Sequence, residues 1–370
     1  MLDPTITDLI KARFSDIFDE KIGLVREIIE SNFSLLALPL FQYSAAMNRG
    51  DSWVHESGVG TANNKELALS KAIGECLERY CLLEYNDFME TSANCAGNKY
   101  SCLSPEIVEI YTHQELQNFN FQPYTSSLLT LFCTGYSLTQ KKYCYVPLPM
   151  VCISKHIFNL YAQQLNIIQQ PISTGTALGC RFDATALTSI YEVIERDAVM
   201  AFWLLKKKAR LIDLTTLENE QDLINQLKKN DISIYLFDIS LDNNVFVIFS
   251  CICGNNKNMP AMAVGAAAHH KVDCALKKAL EEGISAFEFS HFLSSKTTVA
   301  SDQWFDRRKW STTITKQEDH ILFWAQWDLF HKFRSQLDFM FKSDQIISRS
   351  SLTKKEQDLP TDQAALDFVL

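Results

Sequence analysis

Residues 173–203 read STGTALGCRFDATALTSIYEVIERDAVMAFW, a glycine-punctuated loop running into a helical pattern that carries Glu192, Glu195 and Arg196. Residues three and four apart share a helix face, so the two carboxylates and the guanidinium point into one small region in front of the loop. Gly175 and Gly179 leave that loop's backbone free to approach a ligand closely. A single E-x-x-E-R on a helix is most often a solvated ion-pair face.

The chain then repeats the design upstream. GVGTANNKELALSKAIGECLERYCL joins a loop holding Gly58 and Gly60 to a helix carrying Glu75, Glu78 and Arg79, again with an apolar face on the other side. Two copies suggest two facing helices. Four carboxylates converging on one cleft raise one another's pKa unless positive charge sits between them. Magnesium answers that need, because it takes a few carboxylates together with phosphate oxygens and so brings a nucleotide with it. Two arginines supply planar donors suited to phosphate.

With these motifs in order, the chain resembles the YcaO-domain family over roughly residues 40–295. The segments that carry the resemblance are G-x-G followed by G-E-x-x-E-R (Gly58 to Arg79), S-T-G-x-A-x-G followed by E-x-x-E-R-D-A (Ser173 to Ala198), and A-V-G-A-A-A-H followed by A-L-x-x-A-L-x-E (Ala263 to Glu282). The resemblance implies ATP and Mg2+ as cofactors, with Glu75, Glu78, Glu192, Glu195 and Glu282 as the metal-holding carboxylates. It implies Arg79, Arg196 and Lys278 as phosphate-side cations, and places Ser70, Lys71, Glu78, Gly175 and Cys180 at nucleotide-contacting positions. Four positions depart from the family pattern: Val59, Lys71, Cys180 and Ser285 stand where other residues are usual. No catalytic side chain separate from the ATP and magnesium site is expected.

The 370 residues exceed a single small core, and 47% hydrophobic with 21% charged residues is an ordinary globular balance. A net charge of −9 argues against a nucleic-acid partner. Eleven cysteines without a paired metal spacing read as small core thiols of a reducing, cytoplasmic protein, with Cys251 and Cys253 on one side of a strand. No long apolar segment marks a signal peptide or membrane span.

Apolar positions at helical spacing over residues 5–31 predict one or two amphipathic helices, and 33–60 read as strands leading to the first glycine loop. Helices are expected at 65–84, 105–116 and 215–228, with strands at LLTLFCTGYSL, YCYVPLPMV, SIYLFDIS, VFVIFSCICG and AMAVGAA, the last feeding a third helix from about Val272. On that helix Lys278 and Glu282 lie four apart, which in isolation reads as a surface ion pair. Strands mixed with helices of differing length, without a regular βαβ period, predict an α+β fold of mixed and antiparallel sheets. The expected organisation is a helical and extended lead-in at 1–50, an ATP-binding core at 51–300, and a helical region at 301–370 that is short relative to the family. His55, His269 and His270 are loop residues near the motifs, read as surface groups in the first instance. Phe202 and Trp203 read as core.

The resemblance implies activation of backbone amides in a ribosomally made precursor peptide, with cyclodehydration of Cys, Ser or Thr to azolines as the first expectation. Thioamide formation, and a non-catalytic ATP-binding accessory role, are the alternatives. It also implies a leader-binding partner related to ubiquitin-activating enzymes, and a homo-oligomer is possible. The terminal residues Leu366, Phe368, Val369 and Leu370 form an apolar cluster expected to need covering.

Overall fold

The apolar run Phe246–Gly254 is buried at every residue, which requires a strand covered on both faces. In a computed structural model this run is the second strand of a five-stranded sheet. The structure describes the whole chain except residues 1–3, 32–35, 37–39, 48–56, 85–86, 93–96, 105–110, 120, 162–165, 297–316, 343–344, 354–355 and 358. In chain order the elements are α1 (Pro4–Arg13), β1 (Glu27–Ser31), β2 (Phe41–Ala46), β3 (Ser57–Ala62), α2 (Lys65–Leu83), β4 (Phe88–Ser92), α3 (His113–Phe119), β5 (Leu129–Ser137), β6 (Lys142–Pro147), α4 (Lys155–Leu160), α5 (Phe182–Leu205), β7 (Arg210–Ile212), α6 (Gln221–Lys229), β8 (Ile232–Asp238), β9 (Phe246–Gly254), β10 (Ala263–His269), α7 (Val272–Lys296) and β11 (Ile346–Ile347). Further helices include Gln317–Ala325, Trp327–Phe333 and Asp362–Val369. The fold is α+β.

The large sheet runs β10-β9-β8-β7-β11, antiparallel except for the short parallel pair of β11 with β7. Strand alternation sends Leu236, Ile248 and Ile252 to one face, where they meet Leu227 of α6 and Leu276, Leu280 and Phe287 of α7. It sends Phe237, Val247 and Phe249 to the other, against Leu187, Ala198 and Phe202 of α5. A second sheet, β1-β2-β3, carries α2 over a core that includes Tyr43, Ala45, Leu69 and Ile73. A third, β4-β5-β6, holds a smaller cluster around Leu131 and Leu148.

Helix α2 starts where the sequence predicts, because Asn64 caps it by accepting the N–H of Leu67. Strands β3 and β10 press so closely on their helices that only glycine fits at Gly58, Gly60 and Gly265. A Cβ on Gly58 would lie 2.1 Å from the carbonyl oxygen of Ala72, and one on Gly265 would lie 2.3 Å from the backbone nitrogen of Gly283.

Several expectations are corrected. The helical reading of residues 5–31 holds only for α1. Asp19 accepts the N–H groups of Lys21 and Ile22 to turn the chain, and Ile28 and Ile29 fall on opposite faces of β1, one buried and one exposed. The helix expected at 105–116 is seen at His113–Phe119, with residues 105–110 outside the described residues. The helix expected at 215–228 begins only at Gln221, after two short 3-10 turns, the first capped by Asp213. Cys251 and Cys253 do share a side, their sulfurs 3.6 Å apart, but Cys102 is disulfide-bonded rather than a thiol. Of the terminal apolar cluster, Leu366 is buried in the core shared with α5 and Val369 packs against that core, while Phe368 is half-buried and Leu370 is 46% exposed. No described helix is long and apolar enough to cross a membrane.

The glycine contacts generate a paired expectation. Gly265→Ala drives a methyl into backbone and should destabilise the protein by about 2–3 kcal/mol. Gly74→Ala, inside α2 with only Leu178 within 3.8 Å of the new Cβ, should stabilise it by about 0.5–1 kcal/mol. Thermal denaturation of the two variants checks both signs; a harmless Gly265→Ala would contradict the close-packed strand.

Candidate functional site

Three helices, α2, α5 and α7, contribute the site, and their sequences are more alike than the two obvious motifs suggest. Glu75, Glu192 and Glu282 each stand seventeen positions after a glycine, Gly58, Gly175 and Gly265, and each helix begins seven positions after that glycine. The third segment has no E-x-x-E-R, because Ser285 and Ala286 occupy those places. It shares with the first the run A-L-x-K-A-(I/L)-x-E: Ala68 to Glu75 and Ala275 to Glu282. Lys71 and Lys278 are therefore equivalent. The segments at β3-α2 and β10-α7 each follow three antiparallel strands, whereas the Gly175 segment is a turn, with Gly175 at φ +85°.

Backbone amides fix the carboxylates. Val59 N–H donates to Glu75 Oε2 at 2.6 Å, Gly175 N–H to Glu192 Oε2 at 3.0 Å, and Ala268 N–H to Glu195 Oε2 at 3.3 Å. Glu78 accepts the hydroxyl of Thr176, which ties α2 to the loop before α5. Gln42 Nε2 donates to Ser285 Oγ at 2.6 Å and to Thr61 Oγ1 at 3.2 Å, which ties the small sheet to α7.

The result is one electrostatic cluster. Burial pushes Glu195 up to about 8, with Glu282 adding to the rise and Arg196 opposing it. Burial likewise pushes Glu282 up to about 7 against the pull of Arg196, Lys278 and Lys71. Glu78 is raised by burial, opposed by Thr176 and raised further by Glu75 and Glu192. All five predicted carboxylates are thus neighbours. A carboxylate held out of water at this cost signals a missing positive partner. Among the described residues no three His, Cys, Asp or Glu side chains close around a single point. The donor set is all carboxylate, and Mg2+ takes one or two carboxylates and completes its shell with phosphate oxygens and water.

The cations divide by environment. Arg196 is 58% exposed, 3.6 Å from Glu192 and 3.9 Å from Glu195, and is placed to meet an anion in the cleft. Arg79 is 16% exposed and is engaged by Glu75 and the Ser57 carbonyl, so it braces β3 against α2. Lys71 donates to the Thr61 carbonyl at 2.9 Å while facing Glu282. Ser70 is half-buried beside it, and Cys180 is an exposed thiol at the end of the second glycine loop.

Sequence reading missed Tyr191, which precedes Glu192. Its hydroxyl hydrogen-bonds His270 Nδ1, and its ring lies 5.0 Å from that of His269, which stacks on His270 at 4.6 Å. His270 is buried rather than a surface group. Burial, with the charges of His270 and Lys278 nearby, drops His269 to about 3. Lys271 N–H donates to His269 Nδ1 at 2.9 Å, so the neutral ring carries its proton on Nε2 and is a donor toward its surroundings. His55 lies outside the described residues.

Residues 59–365 match the family model for YcaO cyclodehydratase, ATP- and Mg2+-binding, and the chain belongs to that family, with ATP and Mg2+ as its cofactors. Solved structures of the same fold include a heterocyclase in complex with substrate and cofactor (TM-score 0.65, 14% identity, 90% of this chain and 48% of that one). They also include YcaO from Methanopyrus kandleri bound with AMPPCP and Mg2+ (TM-score 0.61, 14% identity, 95% and 77%) and the E. coli microcin synthetase McbBCD complex (TM-score 0.57, 14% identity, 84% and 73%). The chain spans about half the length of the heterocyclase. No curated protein matches the sequence.

The raised carboxyls set a pH dependence. Glu195 and Glu282 hold protons in the metal-free fold up to about 8 and 7, whereas in the unfolded chain they lose them near 4.3. The folded state therefore binds more protons across that interval, and its stability falls as pH rises from about 5 to about 8. The melting temperature of the metal-free protein should drop over this range, and Mg2+ with a non-hydrolysable ATP analogue should flatten the drop. A melting temperature unchanged by pH in both states would contradict the buried cluster.

Proposed function

We propose that this protein activates backbone amides of a ribosomally made peptide at the expense of ATP, and that its product is an azoline formed from Cys, Ser or Thr. The observation that carries the reading is the electrostatic coupling of Glu75, Glu78, Glu192, Glu195 and Glu282, brought together by three equivalent glycine–helix segments. Membership of the family and the heterocyclase and microcin synthetase folds support it.

When bound, ATP with Mg2+ supplies a phosphoryl group that turns the amide oxygen into a leaving group. The peptide's thiol or hydroxyl adds to the preceding carbonyl carbon, and the oxygen departs as phosphate, so each ring formed removes one water from the peptide and converts one ATP to ADP. The five glutamates would hold the metal, and Arg196 and Lys278 would neutralise phosphate charge. Ser70, Lys71, Arg79, Gly175 and Cys180 would form the nucleotide's surroundings, with Arg79 acting through Glu75. Gly175 and Val59 amides fix carboxylate geometry before ligand arrives, which is the positioning that phosphoryl transfer needs. The reaction requires no separate nucleophile of this chain.

Family kinship and the microcin synthetase complex support a partner protein that presents the peptide, and the protein is read as cytoplasmic. Incubation of the chain with ATP, Mg2+, a candidate precursor and a candidate partner, followed by mass measurement, tests the reading. Loss of water per ring supports it; replacement of oxygen by sulfur would assign a thioamide product instead, and an unmodified peptide with intact ATP binding would assign an accessory role. Glu192→Gln keeps size but removes charge, and should weaken MgATP binding at least about tenfold with the melting transition retained. Lys71→Ala should do less, its amine being bound to Thr61.

A further inference from the structure

Strand β10 ends on His269, and strand alternation sends this residue to the α7 side together with Ala263, Gly265 and Ala267. Its ring nevertheless lies 5.0 Å from that of Tyr191 on α5, and the charge of Lys278 on α7 reaches it. Those two neighbours fix where the ring sits. Tyr191 is four residues before Glu195 and Lys278 is four before Glu282, so each stands one turn from a buried carboxylate on the same helix face. The residue before His269, Ala268, gives its N–H to Glu195. His269 therefore stands between α5 and α7, on the N-terminal side of both carboxylates.

The ring has little freedom. It stacks on His270 at 4.6 Å, and His270 is itself tied through Nδ1 to the Tyr191 hydroxyl. Nδ1 of His269 accepts the N–H of Lys271 at 2.9 Å, which leaves the ring proton on Nε2. Among the described residues that Nε2–H meets no acceptor, and the ring is half-buried rather than sealed. Burial and the charges of His270, Lys278 and Lys271 all oppose a second proton, so the ring stays neutral. It cannot serve as a base, because a backbone N–H occupies one nitrogen lone pair and the other nitrogen carries the proton. What remains is a fixed, uncharged donor.

We propose that the Nε2–H of His269 is the donor that receives the carbonyl oxygen of the peptide amide under attack. The proposal rests on the peptide-modifying reading above. Phosphate oxygens are charged from the outset and are matched by cations such as Arg196 and Lys278, whereas a carbonyl oxygen is neutral on binding and gains charge only as the thiol or hydroxyl adds to its carbon. A neutral donor fixed in advance suits the second case, since nothing has to reorganise as that charge develops. The ring keeps its proton throughout. An imidazolium at the same place would be drawn to phosphate instead.

Two measurements test it. In the first, the full chain with its histidines labelled by heavy nitrogen is followed by NMR, the His269 signal being the one lost in His269→Phe. The probe is the uncharged tripeptide N-acetyl-Gly-Cys-Gly-amide, which offers a carbonyl ahead of a cysteine. AMPPCP with Mg2+ should leave the Nε2–H resonance in place, and adding the tripeptide should then shift it in a saturable way. A shift with the nucleotide analogue alone would make the group a phosphate ligand, and a resonance indifferent to both would leave it without an oxygen to meet; either result overturns the proposal. In the second, His269→Phe keeps the ring stack and loses the donor. Its kcat for peptide-dependent phosphate release should fall about 100-fold with KM for ATP unchanged, and His269→Gln, whose amide again offers an N–H, should recover about tenfold. A His269→Phe protein as fast as the wild type would overturn the proposal. Because the resonance measurement needs no turnover, a chain that shows the tripeptide shift and modifies no peptide would refute the peptide-modifying reading and leave the donor assigned.

Discussion

Five carboxylates held in one cleft, two of them deeply buried, are the constraint on which the rest of this structure depends. Removing an ionised carboxylate from water costs several kcal/mol unless a cation or donor replaces the lost hydration. Backbone amides at Val59, Gly175 and Ala268 supply part of that replacement, and Arg196, Lys71 and Lys278 supply more. The balance is left over, as the raised Glu195 and Glu282 register. On the proposed reading, a divalent cation with phosphate oxygens would remove the remainder, since Mg2+ shares its shell between carboxylates and phosphate.

The scaffold exists to keep those groups in place. Gly58 and Gly265 let β3 and β10 ride directly on the backbone of α2 and α7; β3 delivers the Val59 amide to Glu75 of its own helix, and β10 delivers the Ala268 amide to Glu195 of α5. Gly175 does the same work with a turn and a positive φ in place of a strand. The fully buried β9 and the two-faced core around it set the angle between α5 and α7, and the Gln42, Thr61 and Ser285 contacts lock the small sheet to α7.

Much of this was legible in the sequence where chemistry and period coincide. The E-x-x-E-R helices, the apolar β9 and the strand feeding α7 each carry a local pattern that tertiary packing reinforces. The third member of the repeat was harder to see, because its second glutamate is Ser285 and its helix reads alone as a surface ion pair. The seventeen-residue interval from glycine to glutamate, compared across all three segments, is the signal that finds it. Tyr191 gave no sequence signal, and His269 and His270, visible as histidines near the third motif, gave none of their pairing, since that depends on α5 crossing the end of β10. The failure at residues 14–31 was one of period: Ile28 and Ile29 fit a helical face on paper, and pairing with β2 decides otherwise.

The most direct test of the account is the proton count on binding a non-hydrolysable ATP analogue with Mg2+ near pH 7, taken from calorimetric titrations in buffers of different ionisation enthalpy. Metal ligands must be deprotonated, so binding at carboxyls that hold their protons to about 7 and 8 releases protons. The account predicts net proton release that grows as the starting pH is lowered from 8 toward 6. Binding with no proton release at any pH in that range would contradict it.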